Sequence, residues 1–137
     1  MSTTMPIVLY VEDDQDSREV MSLILSEIMG CDSYHIFENS EDFLVRVNAL
    51  EMKPTIIFLD IHMKPYSGFE MLEMLRKLDW ATNVPIVALT ASVMNEEVQM
   101  LKSAGFNSCL SKPIGLATFP DLFHQIVRGE TIWKIFS

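Results

Sequence analysis

Three runs of this 137-residue chain are apolar at nearly every position: residues 7–11 (Ile-Val-Leu-Tyr-Val), 55–59 (Thr-Ile-Ile-Phe-Leu) and 85–89 (Pro-Ile-Val-Ala-Leu). Each is strand-sized and rich in β-branched residues. A strand apolar on both faces has to be covered on both, which is how the central strands of a parallel sheet read. Two weaker candidates, residues 33–37 and 108–110, have mixed or short patterns that suit edge strands. Between the runs the apolar spacing becomes helical. After Asp16, apolar residues fall at Val20, Leu23, Ile24 and Ile28, and Gly30 ends the pattern. Asp16 and Glu19 are predicted to cap this helix, with Asp14 and Asp16 favoured at its start by the helix dipole. Further helices are predicted over about residues 40–50, 68–78 and 94–103, and from Pro120 onward.

The order is therefore a strand followed by a helix, five times over. That order predicts an α/β domain, a doubly wound parallel sheet covered on both faces. Right-handed crossovers leave few topologies. The three buried strands are the first, third and fourth, so the strand order 2-1-3-4-5 is expected, the flavodoxin-like (βα)5 arrangement. In such sheets the site lies beyond the carboxyl ends of the strands, near the switch between strands 1 and 3. One domain over residues 1–128 is expected, followed by a tail over 129–137.

Composition excludes several classes of function. Ten Lys and Arg against nineteen Asp and Glu give a net charge of −9, which repels nucleic-acid phosphate over most of the surface. No apolar run approaches the ~20 residues that span a bilayer, and the first residues lack the features of a signal peptide. Two cysteines, Cys31 and Cys109, are too few for a disulfide framework or a zinc site. A cytoplasmic location is expected.

The strand ends carry the chemistry. The first run is followed by Glu12-Asp13-Asp14, the third strand by Asp60, the fourth by Thr90-Ala91, and the fifth leads to Lys112-Pro113. Several carboxylates at short range repel one another, and they require a cation or raised pKa values. Hard oxygen ligands favour Mg²⁺, which shares its shell with waters and phosphate. A lysine beside a hydroxyl is placed to hold phosphate oxygens. Phosphoryl transfer onto or off a carboxylate is the chemistry this suggests.

Val11-Glu12-Asp13, Leu59-Asp60 with Met63 and Gly68 after it, Thr90-Ala91 and Lys112-Pro113 together resemble the receiver domain of two-component response regulators. The resemblance covers residues 6–128. It implies that Asp60 is the phosphoacceptor, that Asp13, Asp60 and the backbone carbonyl of His62 bind Mg²⁺ directly, and that Glu12 reaches the metal through water. It implies that Lys112 and Thr90 bind phosphoryl oxygens and that the Lys112–Pro113 peptide is cis. It further implies a histidine kinase or histidine phosphotransfer protein as donor, and a downstream protein target contacted through helix 4, strand 5 and helix 5. A homodimer is possible.

The sequence departs from the family in three places. The loop after the acceptor, usually Asp-x-x-Met-Pro, reads Asp60-Ile-His-Met-Lys64-Pro65, so a lysine takes the usual proline position. The family's switch aromatic on strand 5 is replaced by Cys109. No output domain is expected after the receiver, and the tail carries Ile132, Trp133, Ile135 and Phe136. These residues are expected to pack on the domain, with an interface for self-association or a partner as the alternative. The missing aromatic and the shifted proline motivate the rival reading of a pseudo-receiver that binds without switching. A small Mg²⁺-dependent phosphohydrolase is disfavoured by His62, which stands where dehalogenase-like hydrolases carry a second Asp.

Overall fold

The computed structural model describes residues 5–92 and 94–133. Five parallel strands form one sheet in the order β2-β1-β3-β4-β5. They are β1 (Val8–Val11), β2 (Tyr34–Phe37), β3 (Ile56–Asp60), β4 (Ile86–Thr90) and β5 (Ser108–Ser111). The three strands predicted to be central are buried at every position, whereas β2, at an edge, is only half-buried along most of its length. The helices are α1 (Gln15–Leu23), α2 (Phe43–Asn48), α3 (Gly68–Arg76), α4 (Asn95–Ala104) and α5 (Phe119–Val127).

Successive strand residues point to opposite faces, so one sheet supplies two cores. Leu9, Val11, Ile57, Leu59 and Ala88 pack with Phe43, Val47, Leu72, Leu75 and Leu101 from α2, α3 and α4. Val8, Tyr10, Ile56, Phe58, Val87 and Leu89 pack on the other face with Met21 of α1 and with Phe119, Phe123 and Ile126 of α5. Phe58, Phe119 and Phe123 form a ring cluster with centroids 5.4–6.0 Å apart.

Helix boundaries differ from the sequence expectation for local reasons. The cap of α1 is Asp14, not Asp16 with Glu19. The chain is already helical at Gln15, so only Asp14 is placed to accept from Ser17 N (2.9 Å) and Ser17 Oγ (2.7 Å). Glu19 instead accepts from Gln15 Nε2. α1 then continues as a π-turn over Ile24–Ile28. α2 begins at Phe43 because Asp42 is left-handed, with φ of 50°. Ser67 and Glu70 form a reciprocal capping box that starts α3. α3 ends at Arg76, whose guanidinium holds the carbonyls of Ala81 and Val84 around a 3-10 turn over Asp79–Ala81.

Beyond α5 the chain returns to the outer edge of β5. Cys109 N donates to Ile132 O at 2.8 Å, and Ile132 N donates to Ser108 Oγ at 2.9 Å. Ile132 is buried in the α1/α5 core, and Trp133 packs against the opposite one. Ile135 and Phe136 lie outside the described residues.

Candidate functional site

Glu12 follows β1 with its backbone pinned from two sides. Its N–H donates to Phe37 O at 3.0 Å, and its carbonyl accepts from Arg18 Nη1 at 3.0 Å. The side chain is fully buried and held by three donors. Tyr10 Oη donates to Oε1 at 2.8 Å, Asp14 N donates to Oε2 at 3.3 Å, and Lys112 Nζ lies 3.1 Å from Oε1 and 3.2 Å from Oε2. Asp13, next in the chain, is exposed at the mouth of the site. Asp60 ends β3 almost wholly buried, with Oδ1 3.5 Å from Lys112 Nζ and accepting from His62 N at 3.4 Å.

Carboxylate oxygens of Glu12, Asp13 and Asp60 all lie within 4.8 Å of one another. This set of hard anionic donors, two buried and one open to solvent, fits a divalent cation that keeps part of its water shell. Without a cation the crowding acts on the protons instead. Burial, then the neighbouring Glu12 carboxylate, pushes the Asp60 carboxyl up to about 7, with Lys112 pulling in the opposite direction. Burial alone would lower Lys112, but Asp60 and Glu12 hold it above the usual lysine value. Burial and the adjacent Glu12 raise the Tyr10 phenol, so it stays a donor.

Thr90 ends β4 fully buried, and its Oγ1 accepts from Ser92 N at 3.1 Å. The hydroxyl keeps a proton of its own to donate. The Lys112–Pro113 peptide is cis, as the resemblance implies, and so is Lys64–Pro65. Asp13, Ile61, His62, Met63, Lys64 and Ser67 line an open cleft of about 460 Å³ above the acids. His62 and Lys64 are exposed on this loop. Ser40, in the turn after β2, fixes the loop: its fully buried Oγ donates to Tyr66 O and accepts from Tyr66 N, both at 2.9 Å. Gly68 closes the loop where no side chain fits, since a Cβ there would lie 2.9 Å from Asp60 O and 2.8 Å from Ile61 Cδ1.

The structure thus brings Glu12, Asp13, Asp60 and Lys112 together and sets Thr90 at the neighbouring strand end. Sequence reasoning missed Tyr10, Arg18 and Ser40. Tyr10 had one usable signal: it stands two residues before Glu12 on a strand, so both side chains leave the same face.

Residues 8–124 match the response regulator receiver domain. The chain belongs to that family. Among similar receiver-containing proteins, the polar-differentiation response regulator DivK of Brucella anthropi is 25% identical over 112 residues, 82% of this chain and 88% of DivK. An uncharacterized 14.6 kDa protein of Leptolyngbya boryana is 30% identical over 108 residues, 78% of this chain and 79% of that one. The sensor histidine kinase RcsC of Salmonella typhimurium is 28% identical over 111 residues, but this chain spans only 11% of it. Chemotaxis response regulator CheY4 of Vibrio cholerae shares the fold, with a TM-score of 0.79 at 24% identity over 90% of this chain and 99% of CheY4. So does the receiver domain of the Pseudomonas aeruginosa sensor histidine kinase PA1611, with a TM-score of 0.75 at 20% identity over 92% of this chain and 100% of that one. That structure has a magnesium ion coordinated in its active-site cleft. Like other receivers, this one is a signalling module of two-component systems with an acidic site at its strand ends. Among the described residues, no helix is long and apolar enough to cross a membrane.

Proposed function

We propose that Asp60 of this receiver accepts a phosphoryl group from the phosphohistidine of a kinase or phosphotransfer protein in the cytoplasm. The observation that carries the reading is the buried Asp60 carboxylate, grouped with Glu12 and Asp13 and placed 3.5 Å from Lys112 Nζ. A carboxylate oxygen of Asp60 attacks phosphorus in line. The P–N bond to the donor imidazole breaks, and the imidazole takes up a proton as it leaves. Mg²⁺, held by Asp13, Asp60 and the His62 carbonyl, would supply charge neutralisation on the transferring group. Glu12 would reach that metal through water, and it holds Lys112 in place. Lys112 and the Thr90 hydroxyl bind two phosphoryl oxygens. The protein forms no other covalent bond, and its contribution is positioning and electrostatics.

The added charge and acceptor oxygens draw Thr90 and Lys112 toward the new phosphoryl group, which alters the protein-binding surface built from α4, β5 and α5. The test is mass spectrometry after incubation with acetyl phosphate and Mg²⁺. The wild type gains one phosphoryl group, and Asp60→Ala and an EDTA-treated sample do not. An equal gain in Asp60→Ala sinks the assignment.

One observation favours a receiver that binds without switching: Cys109, fully buried on β5, offers no ring to follow Thr90. Amide chemical shifts of α4 and β5 that stay fixed when Asp60 is phosphorylated would support that rival.

A further inference from the structure

Strand β5 has two sides. One is paired in register with β4, and the other would be the open edge of the sheet. The chain after α5 reaches that outer side at Ile132 and Trp133. The Ile132 carbonyl accepts from the Cys109 N–H, and the Ile132 N–H donates to the Ser108 side-chain Oγ. The next two side chains divide as those of a strand do. Ile132, 7% exposed, enters the core that holds Leu110, Phe119, Phe123 and Ile126. Trp133 goes to the other layer, which holds Cys109, Leu101 and Phe106, and Lys102 Nζ of α4 stands 5.2 Å from its ring centroid. The segment therefore spans the seam between the two cores, with α4 on one side and α5 on the other. Cys109 is small enough to leave room on β5 for an aromatic side chain brought from elsewhere in the chain.

We propose that the outer edge of β5 is a strand-accepting docking surface, held shut by the chain's own residues 130–133. Its partner is a protein that offers an extended segment with an aliphatic residue followed by an aromatic one. Such a segment would accept from the Cys109 N–H, donate its own N–H to Ser108 Oγ, fill the Ile132 socket and lay its ring under Lys102. This is recognition by strand addition, where backbone pairing gives affinity and alternate pockets give specificity. Among the described residues, two hydrogen bonds and the side chains of Ile132 and Trp133 tie this segment to β5 and its cores, against the continuous ladder on the other side of β5, so it is the element that can leave without unfolding the sheet. The inference rests on the receiver reading only in treating this face as the output surface. The docking itself is read without Mg²⁺ or phosphodonor, so either reading can fail alone.

The experiment uses the full chain and a labelled peptide of residues 128–133, Arg-Gly-Glu-Thr-Ile-Trp. The double variant Ile132→Ala, Trp133→Ala is expected to bind the peptide at least about tenfold more tightly than wild type, whose own segment occupies the edge. Bound peptide is expected to slow hydrogen exchange at the Cys109 amide of the variant. Equal binding to both proteins, no binding to a variant whose circular dichroism is native, or binding that leaves the Cys109 amide unprotected overturns the proposal. Should the variant not fold, wild type alone decides. Its Cys109 amide is expected to exchange at least about tenfold faster than that of Ile57, which donates to Pro85 O inside the sheet. Equal rates would show that the segment opens only with the whole fold, and the proposal falls.

Discussion

Tyr10 donates to Glu12 from full burial, on the strand that carries the acids. Replacing it by Phe keeps the ring and removes one of the three donors on a buried carboxylate. The expected loss is about 1–3 kcal/mol in urea denaturation, with a weaker Mg²⁺ affinity because Oε1 is then held by Lys112 alone. Asp60 gives a pH dependence whose sign follows from its proton. In metal-free protein the folded carboxyl keeps its proton up to about pH 7, while the unfolded chain releases it near its ordinary value of 3.8. Between these values the folded state binds more protons, so stability is greatest below that window and falls as pH rises through it. Urea midpoints in EDTA should drop from pH 4 to pH 7 in wild type, and the drop should be smaller in Asp60→Asn. The carboxylates themselves were legible in the sequence, because acids that directly follow apolar runs have to gather at strand ends. Tyr10 was not, because a tyrosine inside an apolar run reads as core filler until its hydroxyl's partner is known.

The loop from β3 to α3 sets where Asp60 points, and two small residues hold that loop. Gly68→Ala places a methyl group 2.9 Å from the carbonyl of Asp60, so the backbone around Asp60 has to move. A stability loss of about 1–3 kcal/mol is expected, together with slower phosphorylation in the acetyl phosphate assay. Ser40→Ala strips Tyr66 of a partner for both its N–H and its carbonyl. About 1–3 kcal/mol should be lost in thermal or urea melts, with Asp60 still able to react, because the acceptor keeps its own bonds. Element order was readable because each strand run differs sharply from the helical spacing around it. Helix starts were less so, since they turn on single residues: the left-handed Asp42 cuts α2 short, and Asp14 takes the cap expected of Asp16. Neither outcome has a periodic signature.

At the scale of the molecule the sheet order was legible because the two weakly apolar strands had to be edges once five strand–helix units were counted. The return of Ile132 and Trp133 to β5 was foreseen only as packing on the domain. Which edge they take depends on the outward-facing amide of Cys109, which donates to Ile132 O, and on its small side chain, and spacing does not show that. Mg²⁺ should raise the melting temperature by mass action, at about 2.7 kcal/mol when its concentration is a hundred times its dissociation constant. Asp13→Asn should abolish most of that rise, as measured by calorimetry with and without EDTA. The Lys112–Glu12 pair joins residues a hundred positions apart, and this has a consequence for timing on the ribosome. The emerging chain presents Glu12, Asp13 and Asp60 roughly fifty residues before the lysine that neutralises them, an interval of about 3–10 s at ~5–20 residues per second. Throughout that interval Asp60 exists without its cationic partner or the last strand of the sheet. The site is therefore assembled only once nearly all of the domain has been translated, and a product truncated before Lys112 is expected to lack it.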